Sequence, residues 1–231
     1  MNLTAAPRAV LFDAYGTLFD VFSVAALAER RFPGQGAALA QLWRDKQIEY
    51  SRLVTMSAPD ARHYQTFWAL TRSALRWSAA RLGLALSAGD EEVLMQSYLA
   101  LQPFPENLGV LQALRAAGVP SGILSNGDPT MLGAVVRHAG FDTLLDHQLS
   151  IDRVQRFKTD PAAYALGTAA LGLAAGDILF VSSNCWDAIA ATWWGYTTLW
   201  VNRAGLPMDE LGTRPHHVGR SLADVLPLLG L

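Results

Sequence analysis

Polar side chains able to do chemistry stand just beyond several short apolar runs. Asp13 closes Ala9-Val10-Leu11-Phe12 and is followed by Tyr15 and Thr17. Ser125 and Asn126 close the run from Val119 to Leu124, while Ser182, Asn184 and Asp187 follow the run from Asp177 to Val181. Lys158 stands just ahead of Asp160-Pro161. A carboxylate such as Asp13 can attack an electrophilic carbon and carry the product as an ester. It must stay ionised to do so, and burial alone raises its pKa, so it needs a cation and hydrogen-bond donors beside it. Lys158 is the natural counter-charge. Any one of these residues alone reads as a cap or turn residue, because Asp, Ser, Asn and Thr favour such places. An Asp after a buried strand, a Lys before a Pro-started helix and a Ser-x-Asn-x-x-Asp turn together read as a site.

The elements that must bring these residues together follow from the patterning. Ala9–Phe12, Val119–Leu124, Asp177–Val181 and Thr197–Val201 are short, apolar and non-alternating, as strands buried on both faces are. Between them, Leu108, Leu111 and Leu114 lead to Gly118, and Met131, Leu132, Val135, Val136 and Ala139 lead to Gly140, at helical spacing. Asp128-Pro129 and Asp160-Pro161 each read as an N-cap with proline at the first helical position. Strand and helix in alternation predict an α/β fold, a doubly wound parallel sheet of Rossmann-like type. Residues 20–98 break the rhythm. Leu39, Leu42, Trp43, Tyr50 and Leu53 share one helical face, Tyr64, Phe67, Trp68, Thr71 and Leu75 share another, and Ser87–Leu101 adds a further helix. The expectation is a core domain of residues 1–19 and 99–231 with a helical cap of residues 20–98. A cap inserted there hangs over the carboxyl end of the sheet, where open α/β folds bind ligands.

Composition excludes other classes. The 231 residues are 51% hydrophobic and 16% charged, which predicts a large buried core rather than disorder. A net charge of −2 with dispersed basic residues gives no nucleic-acid or acidic-membrane footprint. The single cysteine, Cys185, leaves no intramolecular disulfide and suits a reducing compartment. No apolar run reaches the roughly 20 residues needed to cross a bilayer, and Met1 to Arg8 lacks the pattern of a secretion signal. A cytoplasmic protein is expected.

At four places the sequence resembles the haloacid dehalogenase superfamily. Phe12-Asp13-Ala14-Tyr15-Gly16-Thr17-Leu18-Phe19-Asp20 resembles its first motif and Ser125-Asn126-Gly127 its second. Lys158 with Asp160-Pro161 resembles its third, and Ser182-Ser183-Asn184-Cys185-Trp186-Asp187 its fourth. Further details resemble the L-2-haloacid dehalogenases. Tyr15 stands where phosphatases of the superfamily carry a second aspartate. Leu42-Trp43-Arg44-Asp45-Lys46-Gln47-Ile48-Glu49-Tyr50 is similar to the dehalogenase cap helix, as is Ser-Ser-Asn-x-Trp-Asp to the dehalogenase fourth motif. The resemblance extends from about Ala9 to Leu229, and four motifs in order make it specific. It implies hydrolytic dehalogenation of short L-2-haloalkanoic acids, haloacetates included, to D-2-hydroxyacids and halide through an ester on Asp13, with no cofactor and no metal. It also implies a homodimer, for which the aromatic-rich helices between Tyr64 and Leu84 are the candidate surface.

By the same resemblance Lys158 neutralises Asp13 and Thr17 supports it. Arg44, in the cap, binds the substrate and receives the departing halide, its fork of donors suiting either anion. Ser125 and Asn126 hold the substrate carboxylate together with the backbone N–H groups of their turn. Asp187, Asn184 and Ser182 position the water that opens the ester, and Tyr164, one turn into the helix after Lys158, completes the hydrogen bonds. Tyr15, Phe67 and Trp186 are candidates for the walls around alkyl group and halogen, and a crowded pocket favours short acids. Water attacks the side-chain carbonyl carbon of Asp13, so C2 undergoes a single in-line displacement. A halide leaves as a stable anion without a general acid, which accounts for Tyr15 in place of an aspartate.

Two positions depart from the family pattern. Ile189-Ala190 stands where Thr-Gly is expected, which bears on helix packing and pocket shape. Asp45 stands where a neutral residue such as Gln is expected, and either competes for Arg44 or turns to solvent. Cys185 reads as a small buried cysteine, with no histidine placed as its base. His216-His217 cannot share a face, and the five histidines form no ligand set. Two alternatives remain at this point: a phosphatase using the same Asp13 with Mg²⁺, and a non-catalytic binding protein that kept the fold. Intact Asp13, Arg44, Lys158 and Asp187 speak against the second.

Overall fold

A computed structural model describes residues 6–231. The first five residues lie outside the described residues, and with them part of the expected 1–19 segment and of the Met1–Arg8 reading. Ala9–Phe12 (β1), Ser121–Ser125 (β2), His147–Ser150 (β3), Ile178–Ser182 (β4), Thr197–Val201 (β5) and His217–Gly219 (β6) form one sheet in the order β3-β2-β1-β4-β5-β6. Every neighbouring pair is parallel. The strand order reverses between β1 and β4, and the crevice beyond their carboxyl ends is the topological switch point of a doubly wound sheet.

All residues of β1, β2, β4 and β5 are buried, which is why these runs are legible without alternation. The edge strands β3 and β6 lie outside the four strands expected from the sequence. Both are half-exposed and carry polar residues such as His147, Gln148 and His217, so neither apolar continuity nor length marks them. The observed β2 begins two residues later than expected, at Ser121, and includes Ser125.

Helices Ala25–Arg31 (α1), Gly36–Ser57 (α2), Phe67–Arg81 (α3), Ala88–Ser97 (α4) and Asn107–Ala116 (α5) lie between β1 and β2. Pro129–His138 (α6), Pro161–Leu171 (α7), Cys185–Trp194 (α8) and Val225–Leu228 (α9) follow the later strands. Asp128 and Asp160 cap α6 and α7 by accepting from Met131 N and Ala162 N at 3.1 and 2.9 Å. Asp128 also accepts from Trp68 N at 3.1 Å, tying the start of α3 to the start of α6.

The two helices that matter most to the site, α2 and α3, pack through Trp43. Its ring is fully buried against Tyr98, with centroids 4.7 Å apart, and its Nε1 donates to the Thr71 carbonyl at 2.7 Å. The inward stripe of α2 corrects the face read from periodicity. Leu53 is 54% exposed, and the buried residues are Leu39, Ala40, Trp43, Arg44, Gln47 and Ser51. The stripe turns polar after Trp43 because that half of the helix faces the switch-point crevice instead of apolar core. Tyr64 precedes α3, and its hydroxyl donates to Asp152 at 2.6 Å. In α8, Ile189 packs with Cys185, Ala188 and Trp200, while Ala190 packs in a cluster with Leu11 and Phe180.

Candidate active site

The backbone pairing of β1 with β4 continues one step beyond β1. Asp13 N donates to the Val181 carbonyl at 2.9 Å, which fixes the carboxylate in the crevice. Its two oxygens have separate partners. Oδ1 accepts from Lys158 Nζ at 3.0 Å, and Oδ2 accepts from Thr17 Oγ1 at 3.1 Å and Asn184 Nδ2 at 3.0 Å. Thr17 Oγ1 itself accepts from Ser183 N at 2.8 Å, so its hydroxyl hydrogen is left for Asp13.

Lys158 arrives on the loop before α7, where its backbone N–H donates to Asn126 Oδ1 at 2.9 Å. Its ammonium is 1% exposed and bridges Asp13 and Asp187 at 3.0 Å each. Asp187 sits wholly buried in the first turn of α8, where the helix dipole favours negative charge, and accepts from Tyr164 Oη at 2.7 Å. Burial presses the Lys158 pKa down, but Asp13 and Asp187 outweigh it and hold the ammonium above the usual lysine range. Burial pushes the Asp187 carboxyl up, and Asp13 adds to this against the downward pull of Lys158 and Tyr164. The two directions agree physically, since one ammonium cannot fully compensate two buried carboxylates. Burial first, and then the charge of Asp187, also keeps the Tyr164 hydroxyl protonated and therefore a donor.

Arg44 reaches the site from α2. Its Nη2 donates to the Tyr15 carbonyl at 3.0 Å and lies 3.5 Å from Asn184 Oδ1, and its Nη1 donates to Gln47 Oε1 at 2.7 Å. It is 8% exposed, and among the described residues no carboxylate forms an ion pair with it. Leaving a charge buried without a counter-ion is costly, so this guanidinium is a standing invitation to an anion. Asp45 does not compete for it. Exposed to solvent, that carboxylate accepts from Gln41 Nε2 at 2.9 Å.

The remaining expected residues surround this centre. Ser125 Oγ accepts from Gly127 N at 3.0 Å and Ser182 Oγ from Asn184 N at 3.1 Å, so each hydroxyl shapes the turn after its strand. The Tyr15 and Phe67 rings lie 5.7 Å apart, tilted at 46°, and Phe67 continues to Phe157 at 5.9 Å. Trp186, in the first turn of α8, is half-buried and carries the guanidinium of Arg52 over its ring.

Sequence reasoning passed over three residues. Gln47 orients Arg44 and donates in turn to Thr71 Oγ1 at 2.6 Å; its place one turn beyond Arg44 was the available signal. Arg203 donates to Ser183 Oγ at 2.7 Å and to the Thr17 carbonyl at 3.2 Å, and pairs with Glu106 at 2.9 Å. It thereby ties the turn after β1 to the turn after β4, and it follows β5 as the other site residues follow their strands. Gly127 is the third. A Cβ there would stand 2.7 Å from Tyr15 Cε2, a distance that side chains essentially never show. Gly127→Ala is therefore expected to displace the buried Tyr15 ring and lower the melting temperature, which differential scanning calorimetry will read.

Among the described residues no group of three or more His, Cys, Asp or Glu side chains converges as a metal site. The space between Asp13 and Asp187 is instead held by the Lys158 ammonium.

The sequence profile of the haloacid dehalogenase-like hydrolases matches residues 7–195. The chain belongs to the haloacid dehalogenase-like hydrolases. Within this hydrolase family its similarity to haloacid dehalogenases is extensive. It is 43% identical to an (S)-2-haloacid dehalogenase of Pseudomonas sp. (strain YL), over 96% of this chain and 94% of the relative. It is 41% identical to the haloacetate dehalogenase H-2 of Moraxella sp. (strain B), over 90% of this chain and 91% of the relative. Among solved structures, the L-2-haloacid dehalogenase RSc1362 superposes with a TM-score of 0.96 at 52% identity, covering 98% of this chain and all of that one. The Xanthobacter autotrophicus L-2-haloacid dehalogenase, solved with chloropropionic acid covalently bound, superposes with a TM-score of 0.88 at 35% identity over 97% of this chain and 98% of that one. No helix among the described residues is long and apolar enough to cross a membrane.

Proposed function

We infer that the chain is a hydrolase of carbon–halide bonds that converts short L-2-haloalkanoic acids, haloacetates among them, to D-2-hydroxyacids and halide through an ester on Asp13. The observation that carries this reading is a nucleophile held by a lysine and two neutral donors, beside a buried arginine that pairs with no carboxylate among the described residues. Tyr15, two residues beyond Asp13, supplies an aromatic wall where a phosphate-ester mechanism wants a second acid.

In the first step an Asp13 oxygen displaces halide from C2 in line, and Arg44 receives the leaving anion. Thr17, Asn184 and Lys158 keep Asp13 ionised and fixed in direction while Ser125, Asn126 and their turn hold the substrate carboxylate. Tyr15, Phe67 and Trp186 enclose the alkyl group. In the second step water adds to the Asp13 carbonyl carbon, and Asp187, whose raised pKa suits it to accept a proton, takes one from that water. Collapse of the tetrahedral adduct returns that proton to the departing hydroxyacid oxygen and leaves Asp13 as the carboxylic acid, whose remaining water-derived proton passes to solvent to restore the carboxylate. C2 has then inverted once. Asn184, Ser182 and Tyr164 orient these groups. A homodimer through the α3 face, where Trp77 is 37% exposed, and a cytoplasmic setting, suited to a single cysteine, belong to the same reading.

The test is a single turnover with excess enzyme, L-2-chloropropionate and ¹⁸O-water containing EDTA, followed by mass measurement of lactate and of the Asp13 peptide. Label in Asp13 and none in D-lactate is the expected result. Label in lactate alone would mean that water attacked C2 directly. No turnover, with Mg²⁺-dependent release of phosphate from a phosphate ester, would replace the dehalogenase with a phosphatase.

A further inference from the structure

Arg52 lies eight residues beyond Arg44 on α2, about 12 Å further along the helix and turned about 80° around it. It is half-buried, and its guanidinium lies over the Trp186 ring, 4.6 Å from the centroid. Among the described residues it has no hydrogen-bond acceptor and no carboxylate within ion-pair distance; Asp209 and Asp187 act on it only from further away. A cation–π contact of this kind uses none of the guanidinium's N–H donors as hydrogen bonds to acceptors, so they stay available to an anion. The neighbouring arginine is committed. Arg156 donates to the Thr55 and Ala58 carbonyls at 2.9 and 2.7 Å and pairs with Asp160 at 3.0 Å.

Arg52 also stands on a cleft. A volume of about 290 Å³ is bounded by Arg52, Met56, Arg156, Lys158 and Thr159 among others, and by Asp160, whose carboxylate is already paired with Arg156. One side is the exposed Met56 and the other is the residue whose ammonium holds Asp13. The space holds an anion of a few heavy atoms, since a liquid water takes roughly 30 Å³. An arginine with no ion-pair partner among the described residues thus stands over an aromatic ring and beside a cleft that Lys158 also lines.

We propose that Arg52, lying over Trp186 at the cleft between α2 and the loop before α7, is an outer site for the small monovalent anions of the reaction. It takes the 2-haloalkanoate carboxylate before Arg44 and Asp13 do, and the halide after Arg44 releases it. The identity of these anions rests on the dehalogenase reading; the existence of an anion site does not.

The test compares wild type with Arg52→Gln, and with Arg52→Lys to restore charge without the guanidinium fork. At low ionic strength, kcat/KM for L-2-chloropropionate is expected to fall about fivefold in Arg52→Gln, with a flatter salt dependence and an unchanged single-turnover rate at saturating substrate. Arg52→Lys should recover part of the loss. A fall in kcat/KM assigns the carboxylate, and a raised inhibition constant for chloride assigns the halide; if both stay within about 1.5-fold of wild type, the proposal is wrong. Chloride itself serves as a turnover-independent probe. Excess ³⁵Cl NMR line width should persist in Arg44→Gln and vanish in Arg44→Gln/Arg52→Gln, whereas equal widths in the two would overturn the site. Absence of haloacid turnover in the wild type sinks the dehalogenase reading alone, because the ³⁵Cl comparison still judges Arg52.

Discussion

Asp13→Asn is expected to lower kcat by about 10⁴-fold or more, on the scale of losing a nucleophile. The substitution keeps the shape of the side chain, and Lys158 keeps Asp187 as its partner at 3.0 Å. It also removes one of two carboxylates that share a single ammonium in a nearly dry site. Thermal unfolding should therefore show a midpoint at or above that of the wild type while halide release disappears. Loss of both activity and stability together would mean that Asp13 serves the fold, and the ester mechanism would lose its central residue.

Lys158→Met gives the opposite pairing of effects. Two buried carboxylates lose the one cation that contacts them among the described residues, and removing one partner from a buried ionic cluster typically costs about 3–5 kcal/mol. For a chain of this size that corresponds to a fall of roughly 6–20 °C in Tm. Adding Asp187→Asn should recover much of the stability without recovering turnover, and differential scanning calorimetry with halide release on the single and double variants separates the two. The titration follows the same logic. Lys158 has a folded pKa above its unfolded value, so its contribution to stability is complete below about pH 10.4 and is lost as pH rises through the higher folded value. Asp187 has a raised folded pKa, so its ionised form costs stability once the pH passes the unfolded value. In the pH profile of kcat, the alkaline limb is expected above the ordinary lysine range and the acid limb above the ordinary aspartate range. A limb at pH 4 or below would remove Asp187 as the proton acceptor.

How much of this was legible in the sequence depended on what surrounds each residue. The central strands could be read because a strand covered on both faces is apolar throughout, and Asp13, Ser125 and Ser182 could be read as their continuations. The edge strands β3 and β6 could not, because one open side admits His147, Gln148 and His217. The inward face of α2 was misjudged at Leu53 because periodicity assumes that the buried stripe stays apolar, whereas here it passes over a charged crevice and carries Arg44, Gln47 and Ser51. Residues that touch others' backbones, such as Arg203 on the Thr17 carbonyl, are marked only by their place just after a strand and not by their type. Their role is set by where two distant turns happen to meet.

That meeting is a matter of distance along the chain. Asp13 bonds to partners 145 and 171 residues away, and Tyr164 reaches Asp187 across 23. A helix forms from its own neighbours, but this site closes only when the first strand, the loop before α7 and the last full-length helix are all in place. Partly folded chains therefore carry helix without any catalytic power, and regained activity marks the end of folding rather than its beginning. In a chain that has not closed this site, Asp13 is an ordinary aspartate without the lysine and donors that fix its direction.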